Sequence, residues 1–239
     1  MYLGYSLDMK SIFQIAAFLI ATSFVTSYSL AQDAAYLSHL EKITTINSYT
    51  PEKSSKHERG TKIIEDRIID RKNRVIGDVL DVGFDQKGGI LALEVELNKI
   101  KRSIDPIFID YKTLEIESAG NGFRTGFNRD QIEEMLSSLR KSSNTTHKSL
   151  GGISIQKLLD ADVKKSEIQK IGKISDVLFD SVGSRAEYLF INMNYNGLRG
   201  AGVAIPFDQA RFIKKGNTLE VLVDDALARA MDEYVRNRL

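Results

Sequence analysis

From Leu91 the chain alternates, with Leu91, Leu93, Val95 and Leu97 apolar and Ala92, Glu94 and Glu96 between them. A period of two turns one set of side chains toward a core, so the segment predicts a half-buried strand. Glu187 to Tyr195 repeats the pattern, with Leu189, Ile191 and Met193 alternating against Phe190, Asn192 and Asn194. Elsewhere the period lengthens. Ile132, Met135, Leu136 and Leu139 fall on one helical face, behind Asn128 as cap and Gln131 three residues on, the pattern of a capping box. Leu227, Ala230, Met231, Tyr234 and Val235 form a second helical stripe behind Asp224 or Asp225. That helix, expected over 224–239, should pack on its strands through Leu227, Met231, Tyr234 and Val235.

These elements recur because the chain repeats itself. Residues 62–88 align with 157–183 at a constant offset of 95, without gaps. Lys62/Lys157, Ile76/Ile171, Gly77/Gly172, Asp81/Asp176, Val82/Val177, Phe84/Phe179, Asp85/Asp180 and Gly88/Gly183 are identical pairs. Ile63/Leu158, Ile64/Leu159, Ile68/Val163 and Val79/Ile174 keep the apolar pattern. The match extends more loosely to Phe108-Ile-Asp110, aligned with Pro206-Phe-Asp208 at offset 98. Two units of short strands, each ended by a helix, predict a mainly β fold of two small barrels or sandwiches. The expected organisation is a lead-in over 32–60 with one short helix from Ala34 to Ile43 and a break at Pro51, a first unit over 61–140, and a second over 153–239. The polar stretch Ser142 to Ser149, inside 141–152, reads as a linker.

The first 31 residues read as an address. Met9-Lys10 precedes an apolar run from Ile12 to Val25, then Ser29-Leu30-Ala31 with small residues at the −3 and −1 positions. A basic start, a short apolar stretch and a small-residue exit describe a secretory signal peptide. Cleavage before Gln32 would deliver the chain to the periplasm of a Gram-negative bacterium. An uncleaved N-terminal anchor in the inner membrane is the alternative, although the run falls short of the roughly 20 residues a spanning helix needs. Either Met1 or Met9 serves as the start.

Gln169-Lys-Ile-Gly-Lys-Ile-Ser-Asp-Val-Leu-Phe-Asp180, a strand, and Tyr195-Asn-Gly-Leu-Arg-Gly-Ala-Gly-Val-Ala-Ile-Pro-Phe-Asp208 together resemble the PRC-barrel family. That family is a small β-barrel found in the photosynthetic reaction-centre H subunit and in a ribosome-maturation factor. Its G-x-I-x-D-V-L-x-D hairpin, Gly-rich turn and V-A-V-P-W-D-like strand all have counterparts in the second copy, with Phe207 in place of Trp. The first copy is more divergent. Val75-Ile-Gly-Asp-Val-Leu-Asp-Val-Gly-Phe-Asp85 is present, but Asn98-Lys-Ile-Lys-Arg-Ser103 replaces the Gly-rich turn and the proline moves to Pro106. The resemblance implies two PRC-type barrels in tandem, each closed by a C-terminal helix, and a habit of binding proteins. It implies no enzyme. Ribosome assembly is disfavoured because that work is cytoplasmic.

Composition narrows the chemistry further. The 239 residues hold no cysteine, which excludes disulfides, thiolate metal sites, Cys nucleophiles and a lipidated Cys. A net charge of +1 makes no global case for nucleic acid. Asp81/Asp85 and Asp176/Asp180, spaced by four, would share one face of a strand and could grip a hard cation. Asp85-Gln-Lys-Gly88 and Asp180-Ser-Val-Gly183 also read as turns, with Asp first and Gly fourth, and that reading is preferred. Gly77/Gly172 suit a bulge, a tight approach or a turn. Gly197, Gly200 and Gly202 follow Asn196 as a hairpin signal and do not form a nucleotide loop. Arg67, Arg71, Lys72, Arg74, Lys99, Lys101 and Arg102 make a local basic concentration. It reads as a solvated rim, with lipid head groups or an acidic partner as the lesser reading. His39, His57 and His147 lie outside the aligned repeat and read as exposed and inert. No catalytic, cofactor-binding or metal-binding residue is assigned. The expectation is a non-enzymatic, exported protein, either an adaptor that binds an unidentified protein or a structural component of the bacterial envelope; the alternative is a small-ligand or cation-sensing module built on the Asp/Gly hairpins.

Overall fold

The computed structural model describes residues 31–101, 105–119, 122–149, 152–166, 168–195 and 197–238. Residues 1–30 of the expected signal, together with Arg102 and Asn196, lie outside the described residues. The described chain opens with helix α1 (31–47), a 3-10 turn at Pro51–Lys53, strand β1 (Glu58–Arg59) and the one-turn helix α2 (Gly60–Ile63). The first copy then supplies β2 (Arg67–Ile69), β3 (Val75–Phe84), β4 (Ile90–Glu96), β5 (Ile107–Asp110), β6 (Glu117–Ser118), β7 (Gly122–Arg124) and α3 (Arg129–Ser149). The second supplies α4 (Ile155–Leu158), β8 (Asp162–Lys165), β9 (Gln169–Phe179), β10 (Ala186–Tyr195), β11 (Leu198–Pro206), β12 (Arg211–Lys215), β13 (Thr218–Val223) and α5 (Asp225–Arg236).

The protein is mainly β, and its two sheets share one topology. The orders are β5-β4-β3-β2-β7-β6 and β11-β10-β9-β8-β13-β12, with β1 added beside β9. In each sheet a single parallel pair, β2 with β7 and β8 with β13, interrupts antiparallel neighbours. The repeat is therefore a repeat of topology as well as of residues. Register corrects one alignment. Val82 pairs with Leu93, which pairs with Ile109; Val177 pairs with Leu189, which pairs with Ile205. The equivalent of Phe108-Ile-Asp110 is thus Ala204-Ile205-Pro206, two residues earlier than the sequence alignment placed it. β-Bulges shift the register between β3 and β4 and between β9 and β10, and bulges are how a constant offset drifts.

Closed barrels were expected, but among the described residues neither sheet closes on itself. No pairing joins β5 to β6 or β11 to β12. Helices take the edge hydrogen bonds instead, a standard way to protect an open edge. The Phe108 amide donates to Ser143 Oγ of α3 at 2.9 Å. Its structural equivalent, the Ala204 amide, donates to Asn47 Oδ1 of α1 at 2.9 Å, while Asn47 Nδ2 donates to the Ala204 carbonyl at 2.8 Å. The stretch read as a linker is the second half of α3. It lacks an apolar stripe because its serines serve the backbone: Ser142 Oγ donates to the Leu139 carbonyl and Ser143 accepts from β5.

The expected helix faces are present. Ile132, Leu136 and Leu139 of α3 are buried, and Asn128 and Gln131 exchange the reciprocal bonds of a capping box. Leu227, Met231, Tyr234 and Val235 of α5 are buried, with Asp224 accepting from the Leu227 amide as its cap. The lead-in is more than a polar leader. Tyr36, Leu40, Ile43 and Asn47, at helical spacing, dock α1 against the second sheet and α5, where the Tyr36 hydroxyl bonds Glu233. Buried apolar residues of both copies form one contact cluster, which holds Phe84, Val82 and Leu136 together with Phe179, Val177, Ile155 and Met231.

Candidate functional site

The repeated aspartates separate into two pairs with different work. Asp81 sits within β3 and Asp176 within β9, and both are buried. Asp81 Oδ1 accepts from the Gln156 amide of α4 at 3.0 Å and from the Val82 amide at 2.9 Å. Asp176 Oδ1 accepts from the Thr61 amide of α2 at 3.2 Å and from the Val177 amide at 2.9 Å. Each aspartate therefore holds the short helix that belongs to the other copy. Thr61 and Gln156 are themselves separated by 95, one position upstream of the aligned block.

The two sites differ in charge. Asp176 Oδ2 accepts from Arg59 Nε at 2.6 Å and from the Thr61 hydroxyl at 3.0 Å. At the position equivalent to Arg59 the second copy carries Ser154, so Asp81 faces no arginine there. Burial pushes the Asp81 carboxyl above its ordinary range, only partly opposed by hydrogen bonds to its charged form. Glu94, its cross-strand neighbour, is pushed up by burial and by the Asp81 charge.

Asp85 and Asp180 leave the strands and form turns, as preferred from sequence. Asp85 Oδ1 accepts from the Lys87 and Gly89 amides, and Asp180 Oδ1 from the Ser184 amide. Gly88 (φ +85°) and Gly183 (φ +68°) take the left-handed fourth position. Asp81 thus serves β3 and α4 while Asp85 serves its own turn, and among the described residues no group of three His, Asp or Glu side chains could hold a metal ion.

The basic concentration is dispersed. Arg74 clasps the buried Asp70 through Nε (2.9 Å) and Nη2 (2.7 Å). Burial alone would raise the Asp70 carboxyl, but Arg74 and the amides of Arg74, Arg129 and Lys72 hold it below its usual range. Lys101 pairs with Asp130 and Glu133. Arg67 and Lys99 line an open groove of about 740 Å³ with Asp78, Asn98 and Arg129, while Arg71 and Lys72 are exposed. Asn98 Nδ2 donates to Asp78 and Glu96, so the groove is of mixed charge.

Two histidines are not the inert surface groups expected. His57 has 6% of its side chain exposed; it stacks on Tyr49 at 5.8 Å, meets the edge of Tyr188 at 5.2 Å and sets Nε2 3.2 Å from Glu187 Oε2. Burial pushes the Tyr188 hydroxyl up to about 12. His39 is half-buried, with Nδ1 3.1 Å from Gln209 Oε1. The side chain of His147 lies outside the described residues.

Arg59, Thr61, Gln156 and Asn47 were not singled out from sequence. Carrying the offset one residue upstream would have found Thr61 and Gln156; nothing local marks Asn47. Comparison with known proteins finds no family model that matches the chain and no curated protein significantly similar to it. Among the described residues no helix is long and apolar enough to cross a membrane.

Proposed function

We propose that this is an exported, non-enzymatic protein-binding adaptor made of two PRC-type modules, acting in the periplasm of a Gram-negative bacterium. The observation that carries the reading is the use made of the repeated polar residues. Asp81, Asp85, Asp176 and Asp180 all direct carboxylate oxygens to backbone amides of turns and short helices, so the repeat encodes a scaffold rather than a reaction centre. The shared strand order of the two sheets supports a duplicated module, and the signal-like first 31 residues support export. On a scaffold of this kind recognition falls to surface grooves and hairpins, and the mixed groove that sets Arg67, Lys99 and Arg129 beside the carboxylate of Asp78 has an excess of cations for an acidic protein face.

The test has two arms. Cell fractionation with N-terminal sequencing should find the mature chain in the periplasm beginning at Gln32; a full-length cytoplasmic species would overturn export. Cross-linking in envelope extract should give a defined adduct that excess unlabelled chain competes away and that Arg67→Glu with Lys99→Glu abolishes. Calcium or magnesium raising the melting temperature by mass action would instead favour the cation-sensing reading of the hairpins.

A further inference from the structure

The contacts between the two copies are reciprocal. Asp81 of the first binds Gln156 of the second, and Asp176 of the second binds Thr61 of the first. Gly83 bridges Ser154, and its equivalent Leu178 pairs with Arg59, the equivalent of Ser154. The Phe84 amide donates to the Ile153 carbonyl at 3.0 Å, and Phe179 lies opposite Glu58, which stands 95 residues before Ile153. Phe84 and Phe179, equivalent to each other, meet ring to ring where these contacts cross. The hairpin tips close the set, with Ala186 donating to the Gly88 carbonyl and Gly89 bridging Arg185.

Exchange of this kind, where residue i meets j and the equivalent of j meets the equivalent of i, is the mark of an isologous two-fold interface. Two domains that merely lean on each other through a linker have no reason to produce it. We infer that the chain is a tethered pseudo-dimer: the partner of the surface around Asp81, Phe84, Asp176 and Phe179 is a second copy of the same unit. Each copy is incomplete alone, because the short helix that caps its central strand belongs to the other. The interface is also desolvated, since Asp81, Phe84, Ile155, Asp176, Val177 and Phe179 are all buried. The covalent connection through α3 raises the effective concentration of one copy for the other but contributes none of these contacts. Arg59 faces Asp176 while Ser154 occupies the matching place near Asp81, so the copies have diverged into a matched pair rather than two interchangeable ones.

The experiment cuts the tether in the folded full chain. A recognition sequence for a site-specific protease is inserted between residues 149 and 153, the purified protein is cleaved, and its mass is read by light scattering on a sizing column. The cleaved halves should elute as one particle with the mass of the uncut chain; separation into two particles overturns the proposal. The helix α1 also crosses from the first fragment to the second sheet, so a second arm isolates the seam. Asp81→Ala, which removes the bonds to the Val82 and Gln156 amides, should lower the urea concentration at which the cleaved halves part. No shift would assign the association to α1 and overturn the seam. Should the insertion prevent folding, hydrogen exchange on the unaltered chain decides. Thr61 and Gln156 amides exchanging as slowly as those of β3 and β9 support the pairing, and exchange at loop rates overturns it.

Discussion

Phe84 and Phe179 hold equivalent positions in the two copies, and their rings touch, with centroids 5.6 Å apart and planes inclined by 48°. Both are fully buried, and Phe207 and then Phe212 extend the cluster into the second sheet. One aromatic pair thus joins the buried residues of the two copies.

Truncating either ring should therefore cost the whole molecule. Phe179→Ala is expected to lose about 3–5 kcal/mol, the range for emptying a buried aromatic site, and Phe84→Ala a similar amount. Urea titration should show one cooperative transition in each variant. A loss below about 1 kcal/mol would mean that the site collapses or is wet.

The equivalent aspartates should respond differently to neutralisation. Burial holds the Asp81 carboxyl above its unfolded value. Its favourable contribution is fully present while it is protonated, below the unfolded value of about 3.9, and is lost as pH rises through the raised folded value. Asp81→Asn keeps an acceptor for the Val82 and Gln156 amides and removes that loss. The variant should match the wild type in acid and equal or exceed it at neutral pH. Asp176→Asn instead breaks the Arg59 pair and should cost about 1–3 kcal/mol at neutral pH, toward the lower end because Arg59 is 44% exposed. Stability measured against pH for both variants checks this; equal losses at neutral pH would contradict it.

Gly77 and Gly172 are expected to resist even alanine. A Cβ at Gly77 would lie 2.2 Å from the Glu96 carbonyl oxygen, and one at Gly172 would lie 2.5 Å from that of Asn192. Backbone cannot swing aside as a side chain can, so each substitution should cost about 1–3 kcal/mol or more through overpacking. Denaturant midpoints of the two single variants provide the measurement, and an unchanged midpoint would show that the paired strands separate freely.

Met231 is fully buried on α5 within the shared core. Met231→Lys forces a charge into that site and should destabilise the protein by a few kcal/mol. A second unit standing alone would confine the damage to itself. With one core, amides of β3 in the first sheet should lose hydrogen-exchange protection along with those of β9. Retained protection in β3 would restore the picture of two independent modules.

Much of the architecture was already legible in local pattern. Alternation at Leu93, Val95 and Leu97 and at Leu189, Ile191 and Met193 reports a core-facing set, and all six residues are buried; Leu91 of the same set is half-buried, Ala92 opposite it is buried, and Phe190 packs beside Ile46 of α1. The stripes of α3 and α5, the capping box at Asn128 and the Asp-x-x-Gly turns depend on neighbours within a few residues, so their chemistry is written contiguously. The offset of 95 also foretold that Val82 and Val177, and Phe84 and Phe179, would be equivalent.

Tertiary structure decided what those elements meet. Asp81 finds its partner 75 residues away and Asp176 finds its partner 115 residues earlier, and no periodicity carries information over such distances. Ser143 of α3 reads as part of a linker because its partner, the β5 edge, is invisible in local composition. His57 read as surface because the aromatic walls that bury it, Tyr49 and Tyr188, come from separate segments. Apolar patterning tells a residue to leave water, which is a local instruction. Which buried surface it joins depends on packing among all segments at once, and here that packing joined the two copies as well as the elements within each.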